Sequence, residues 1–262
     1  MTMWIALRCE FAKIRRTAVA RVVFAATAFI GIVLNVFMAI AANPELAASM
    51  GLIGQKASIG FGGAEPGWAL MALTLREISG LGGMLLSSFL LAWLFGREYL
   101  LGTSKLTLVA PIPRWQHALA KSLLALAWSI AALGVLWASA SVAAALQGLP
   151  GDPWSTVGLA ALSALPVAVA AWSVALPVAY VAVRTGGVFA PLGYAIGTLI
   201  LSSVFLNLGW GPYVPWSAIG IMSGAGGAGI EANWASALVV AGTGALGFVL
   251  VERRMSGADD SA

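Results

Sequence analysis

The stretch Phe95–Leu123, FGREYLLGTSKLTLVAPIPRWQHALAKSL, decides how the chain is read. It gathers Arg97, Glu98, Lys105, Arg114 and Lys121 with His117, the chain's single histidine, between long runs of Ala, Leu, Val and Gly. Of the 262 residues, 60% are hydrophobic and only 9% charged. Soluble domains carry about 25% charged residues, which excludes that class here. Several runs exceed the roughly 18 to 20 apolar residues that cross about 30 Å of hydrocarbon as a helix. A closed barrel is the other structure lipid allows, but its period-two alternation is missing. The composition therefore predicts an all-α integral membrane protein in which the quoted stretch leaves the lipid and returns.

Working outward from it, the pattern predicts six spans: Ala18–Ala42, Trp68–Phe95, His117–Gln147, Ser155–Val183, Gly187–Leu206 and Trp234–Val251. A polar-to-Gly loop runs from Asn43 to Gly67, and an apolar, Gly/Pro-rich stretch joins Asn207 to Asn233. No short repeat or low-complexity linker interrupts them, so one membrane domain over 1–262 is expected. An even number of spans places both termini and the Arg97–Gln116 loop on one side. That side, with the span ends touching it, holds 12 of the 14 Lys and Arg residues, and Lys56 and Arg76 remain opposite. Positive charge favours the cytoplasmic side, so both termini are expected there. Trp68, Trp154 and Trp234, which open spans, are expected at the outer interface.

In the N-terminal MTMWIALRCEFAKIRRT, Trp4, Leu7, Phe11 and Ile14 recur at helical spacing while Arg8, Lys13, Arg15 and Arg16 fall largely elsewhere. That pattern predicts an amphipathic helix lying in the inner interface. A signal peptide cleaved after Ala39-Ile40-Ala41 would need an apolar core longer than the usual 7 to 15 residues.

Catalytic chemistry finds little support. The chain has no G-x-x-x-x-G-K-[ST] phosphate loop, and the Gly-rich SGAGGAGIE (Ser223–Glu231) lacks the lysine. His117 is expected as a solvated helix-start residue, on the opposite side of the membrane from Ser223. Cys9 is the single cysteine, which rules out an intrachain disulfide. Arg76 and Glu77 are the intramembrane charges; such residues either reach the interface or line a pathway. Asn35 and Asn207 read as interhelical hydrogen-bond partners or as pathway residues. Pro166 and Pro177 mark kinks in the fourth span.

In the charged stretch, the second span's helix is expected to continue through Arg97-Glu98-Tyr99. Gly102 then ends it, because glycine accepts the left-handed conformation of a C-terminal cap. Thr103 can cap a short helix from Ser104 to Val109, which Pro111 and Pro113 stop. Leu106 and Leu108 would lie uncovered on that helix, which points to a docking surface for a cytoplasmic partner.

The pattern Glu98-x-x-x-Gly102-Thr103-x-x-Leu106-x-Leu108-x-x-Pro111-x-x-Arg114, with Lys121 seven residues on, resembles the type 2 ATP-binding cassette (ABC) exporter permeases. Pro113 departs from the family, which more often has a small polar residue there. The resemblance implies that Glu98, Gly102, Thr103, Leu106, Leu108, Pro111 and Arg114 form a coupling helix seated in a groove of an ATP-binding subunit. It also implies an N-terminal elbow with Glu10 and Lys13, an outer re-entrant segment before the last span, and a second permease copy or paralogue. ATP and magnesium would be held by the partner subunit and no cofactor by this chain, which would act in transport and not as an enzyme. Pro215-Trp216-Ser217 fits the small bacterial permeases for drugs and peptide antibiotics, in the inner membrane. The spans' low charge suits an amphipathic cargo, and no nucleic acid is expected. Two other readings stay open: an ion-gradient-driven secondary transporter using Asn35, Arg76, Glu77 or Asn207, and a membrane anchor or sensor subunit.

Overall fold

The structure is a computed structural model that describes residues 2–43, 45, 65–103, 113–226 and 231–256. Among them every regular element is helical: α1 (Thr2–Arg15), α2 (Ala18–Ala42), α3 (Trp68–Glu77), α4 (Gly83–Leu100), α5 (Arg114–Gln147), α6 (Pro153–Thr185), α7 (Phe189–Asn207), α8 (Pro215–Ser223) and α9 (Trp234–Ser256). A π-helical turn, Ile78–Gly82, joins α3 to α4, and a single 3-10 turn, Gly211–Tyr213, precedes α8. Six helices are long and apolar enough to cross a membrane: α2, the continuous Trp68–Leu100, α5, α6, α7 and α9. At 1.5 Å per residue the three longest reach about 50 Å, well beyond about 30 Å of hydrocarbon. Their ends therefore project past the lipid, which is how the second span carries Glu98 out of the apolar run.

The chain divides into two compact units. The smaller takes Ala18–Arg76 and Ala131–Leu165. Within it α2 meets α5 where Gly31 lets the backbones approach; a Cβ there would collide with Ser139 Oγ and the Leu136 carbonyl. One turn on, the buried Asn35 donates from Nδ2 to Gly31 O at 3.0 Å and to Ala140 O at 2.9 Å. This is the interhelical bond expected where small residues bring membrane helices together. Trp68 N donates to Pro150 O at 3.1 Å, and its side chain is buried. Trp154, by contrast, is exposed. Asp152 starts α6: its carboxylate accepts from Trp154 N (3.0 Å) and Ser155 N (3.3 Å), with Pro153 as the first helical residue. Proline suits that place because the amide it lacks would have no helical partner. Hydrogen bonds from the Ser155 side chain and the Trp154 amide hold the Asp152 carboxyl below its ordinary value.

The larger unit takes Met1–Thr17, Glu77–Ile130 and Pro166–Ala262. Its core joins Met84 of α4, Ala170, Ala171 and Val174 of α6, Ala218 and Ile219 of α8, and Val240 of α9. Small residues set the helix spacing. Ser173 Oγ donates to Val240 O at 3.2 Å, and Gly247 lies against the Pro177 backbone. Helix α6 runs through both Pro166 and Pro177. Between α4 and α5, Ser87 and Ser129 share a hydrogen bond at 3.0 Å, and Trp93 meets Trp128 edge to face.

The π turn shifts the hydrogen-bond register inside a span that the sequence presents as uniform. Gly80, at its centre, faces Ser223 at the end of α8; a Cβ on Gly80 would sit 2.5 Å from Ser223 Cβ. Only glycine permits this approach of α8 to the turn.

Candidate functional site

Helix α4 ends as its glycine predicts. Gly102 has φ +66°, its N–H donates to Tyr99 O at 3.1 Å, and Thr103 N donates to Glu98 O at 2.9 Å. This pair of bonds is the Schellman arrangement, which satisfies carbonyls left over at a helix end. The Thr103 hydroxyl also reaches Glu98 O, at 3.4 Å. The expected short helix, with Leu106, Leu108 and Pro111, lies outside the described residues. The chain is next described at Pro113, one residue before α5.

The two helices flanking that gap are joined by charge. Lys121 of α5 is buried, and its ammonium donates to Glu98 Oε1 at 2.9 Å, Glu10 Oε2 at 3.1 Å and Leu94 O at 3.2 Å. An ammonium has three protons, so these three acceptors satisfy it. Lys13 completes the cluster, donating to Glu10 Oε1 at 2.7 Å and Glu98 Oε1 at 2.8 Å. Two carboxylates and two ammoniums alternate, and their formal charges cancel. Burying charge is costly unless the partners are complete, and here they are. Burial acts to lower the Lys13 pKa, but hydrogen bonds to Glu10 and Glu98 outweigh it and raise the value above 10.5.

Arg114 works at another helix end. Its guanidinium donates through one nitrogen to Met255 O at 2.6 Å and Ser256 O at 2.9 Å. These are terminal carbonyls of α9, where a cation also favours the negative end of the helix dipole. Thus α1, α4, α5 and α9 are bound together by these side chains.

Arg76 and Glu77 are half-buried at the end of α3, directly before the π turn. Asn35 is fully buried and spends its amide on α5. Asn207 is exposed at the end of α7, with its amide donating to Ser203 O at 2.7 Å. His117 is buried, against the expectation of a solvated residue. It precedes Lys121 by four residues, so the face that carries Lys121 inward carries His117 with it. Neither of its ring nitrogens meets a hydrogen-bond partner among the described residues.

The partnership of Glu10 with Lys121 was not read from sequence, although a signal existed. Glu10 is the only acid before Glu45, and Lys121 is the only Lys or Arg between Arg114 and Arg184. In α1 one residue of the expected apolar face, Ile14, turns into the protein. Ala6, Glu10 and Ile14 are buried, whereas Trp4 and Phe11 are exposed. The need to bring Glu10 to Lys121 sets the rotation of the helix, and apolar residues face outward as a result.

Comparison with known proteins gives one family: the ABC-2 family transporter protein, matching residues 6–202. The matched region runs from α1 into α7 and includes the whole charged cluster, while α8 and α9 follow it. No curated protein and no solved structure matches the chain. A family match over most of the length, on a chain with six helices able to cross a membrane, makes this protein a member of the ABC-2 family: a multi-pass membrane permease subunit of an ABC transporter, whose family implies an ATP-binding cassette partner.

Proposed function

We propose that the chain is one of two membrane halves of an exporter for amphipathic or lipophilic compounds, of the drug and peptide-antibiotic class. It works as a single permease domain in the bacterial inner membrane with both termini cytoplasmic, and a separate subunit hydrolyses ATP. Residues Glu98 to Arg114 couple the two. The observation that carries this reading is the Glu10–Lys13–Glu98–Lys121 cluster, which locks the helix entering the segment to the helix leaving it. A push on residues 104–112 would then move α4 and α5 as one body and reach the spans as a tilt, a rigid-body switch biased by ATP. Helix α1 serves as the elbow, and α8 as the re-entrant segment. The cargo class follows from the spans, which offer few fixed charges to pair with an ionic compound; Arg76 and Glu77 are the candidates for touching it.

The test uses Gly102. Among the described residues nothing lies within 4 Å of where a Cβ would stand, so Gly102→Val strains φ without meeting any of them. The left-handed conformation costs a β-branched residue about 1–2 kcal/mol. The variant should insert normally while ATP hydrolysis by the partner loses its response to transported compounds, or the partner fails to co-purify. Lys105→Ala should be milder. Undisturbed coupling in Gly102→Val would refute the reading.

A further inference from the structure

Glu10 and Glu98 share the ammoniums of Lys13 and Lys121. The half-buried Glu77 carboxylate, by contrast, makes neither a hydrogen bond nor an ion pair among the described residues. Glu77 is the tenth and last residue of α3, about 14 Å along the axis from Trp68. A hydrocarbon layer of about 30 Å centred on the 33-residue helix Trp68–Leu100 therefore covers it. Arg76 is next in sequence, but adjacent residues of a helix do not face each other.

The π turn decides what lies beside that carboxylate. In an ordinary helix every fourth residue drifts round the axis by about 40°, because about 3.6 residues complete a turn. The turn Ile78–Gly82 winds more slowly, so Glu77, Leu81 and Leu85 stay in line. All three are partly exposed, while Ser79, Gly80, Gly83 and Met84 are buried. Helix α8 borders the strip: a Cβ on Gly220 would stand 3.8 Å from Leu81 Cδ2. One carboxylate thus heads a short row of leucines.

We propose that Glu77, Leu81 and Leu85 recognise a lipophilic organic monocation, the carboxylate meeting its positive centre and the leucines its apolar body. A charge within a span needs a counter-charge, and for Glu77 the bound compound supplies it. A small inorganic ion would call for several oxygen ligands, and the strip offers one carboxylate. An organic cation with dispersed charge instead gains from the apolar contact. This inference rests on the exporter reading and narrows its amphipathic cargo to cations, with Glu77 as the residue that selects them.

The experiment uses the full-length permease with its ATP-binding subunit in phosphatidylcholine nanodiscs, and empty discs give the lipid background. The probes are tetraphenylphosphonium, tetraphenylborate and neutral triphenylphosphine oxide. Wild type should bind the phosphonium and discriminate against the borate. Glu77→Gln should weaken phosphonium binding about five-fold. It should leave the neutral probe unchanged, which also shows that the strip is intact. Glu77→Asp should retain part of the preference, and Leu85→Ala should weaken the phosphonium and the neutral probe alike. Equal phosphonium binding by wild type and Glu77→Gln, or borate held as tightly as phosphonium by wild type, would overturn the proposal. So would a preference that disappears when phosphatidylethanolamine is added to the discs, since the carboxylate would then belong to the lipid's ammonium. Binding needs no transport, so the two readings can fail separately. Glu77-dependent binding of a phosphonium that ATP never moves would sink the exporter and keep the site. ATP-driven export of neutral lipophilic compounds, with no phosphonium bound, would sink the site and keep the exporter.

Discussion

Lys121 Nζ stands 3.1 Å from Glu10 Oε2, both side chains buried, across 111 residues of sequence. This contact binds the first helix to the base of the third span. It also explains the rotation of α1: one acid in an N-terminal segment otherwise basic has to face a lysine that the membrane does not accept alone.

Breaking that pair from one side should be worse than removing it. Lys121→Met leaves Glu10 and Glu98 to share Lys13, and loss of one partner of a buried pair costs about 3–5 kcal/mol. Glu10→Gln alone leaves Lys121 with Glu98 and Leu94 O, and should cost less. The double variant should be more stable than the sum of the two losses implies. Thermal unfolding of the four proteins in detergent gives the coupling energy directly. Additive losses would mean the two side chains do not interact.

The Lys13 part of the cluster has its own pH signature. Its folded pKa is raised, so the folded state holds the proton more tightly than the unfolded chain does. The contribution is complete below the ordinary value of 10.5 and is lost as pH climbs through the folded pKa. Lys13 is nearly half exposed, so solvent screening keeps the effect at no more than about 1 kcal/mol. The melting-temperature difference between wild type and Lys13→Met should be constant near neutrality and shrink in alkali above that value. A difference that instead grows with pH would contradict the assignment.

The close approach of Gly80 to Ser223 invites an exchange. Gly80→Ala places a Cβ 2.5 Å from Ser223 Cβ and should loosen α8 from the π turn. Ser223→Gly removes that Cβ and leaves Ile219 O, at 3.3 Å, as the nearest obstacle. The double variant should therefore melt closer to wild type than Gly80→Ala does. No rescue would mean that the glycine is needed for the turn itself and not for the contact.

How far the fold could be read follows from which forces act locally. The first span was read as Ala18–Ala42 and is found there, because an apolar run in lipid has a helix as its only open-ended solution. Gly102 was legible for a related reason: a positive φ at a helix end is a property of one residue. The π turn was not, since ISGLG differs from ordinary helix only in its small Ser79, Gly80 and Gly82, and the pressure on Gly80 comes from Ser223, far along the chain. The inward side of α1 was not legible, because apolar exposure carries no penalty beside lipid and the hydrophobic pattern does not show which face meets protein. Trp4 and Phe11 could then face outward while a single carboxylate chose the inward side. His117 followed Lys121 into the interior for the same non-local reason.

Arg114 separates two roles that the sequence pattern leaves merged. The family resemblance casts it as part of the surface presented to the ATP-binding subunit, yet its guanidinium holds the last carbonyls of α9. A cation at a helix C-terminus contributes about 0.3–1 kcal/mol, rising to about 2 kcal/mol when partly buried. Arg114→Gln should therefore fray the end of α9 locally and leave the spans intact. Hydrogen exchange of the amides from Glu252 to Ser256 should speed up by about ten-fold, the equivalent of about 1.4 kcal/mol. Arg114→Lys should protect them only in part, because the shorter side chain sets its ammonium back from both carbonyls. Co-purification of the partner, measured on the same samples, decides between the roles. If exchange at α9 is unchanged while the partner is lost, Arg114 acts outward and its bonds to Met255 and Ser256 are incidental. If exchange rises and the partner stays bound, Arg114 belongs to the internal frame, and the last span is tied mechanically to the start of α5.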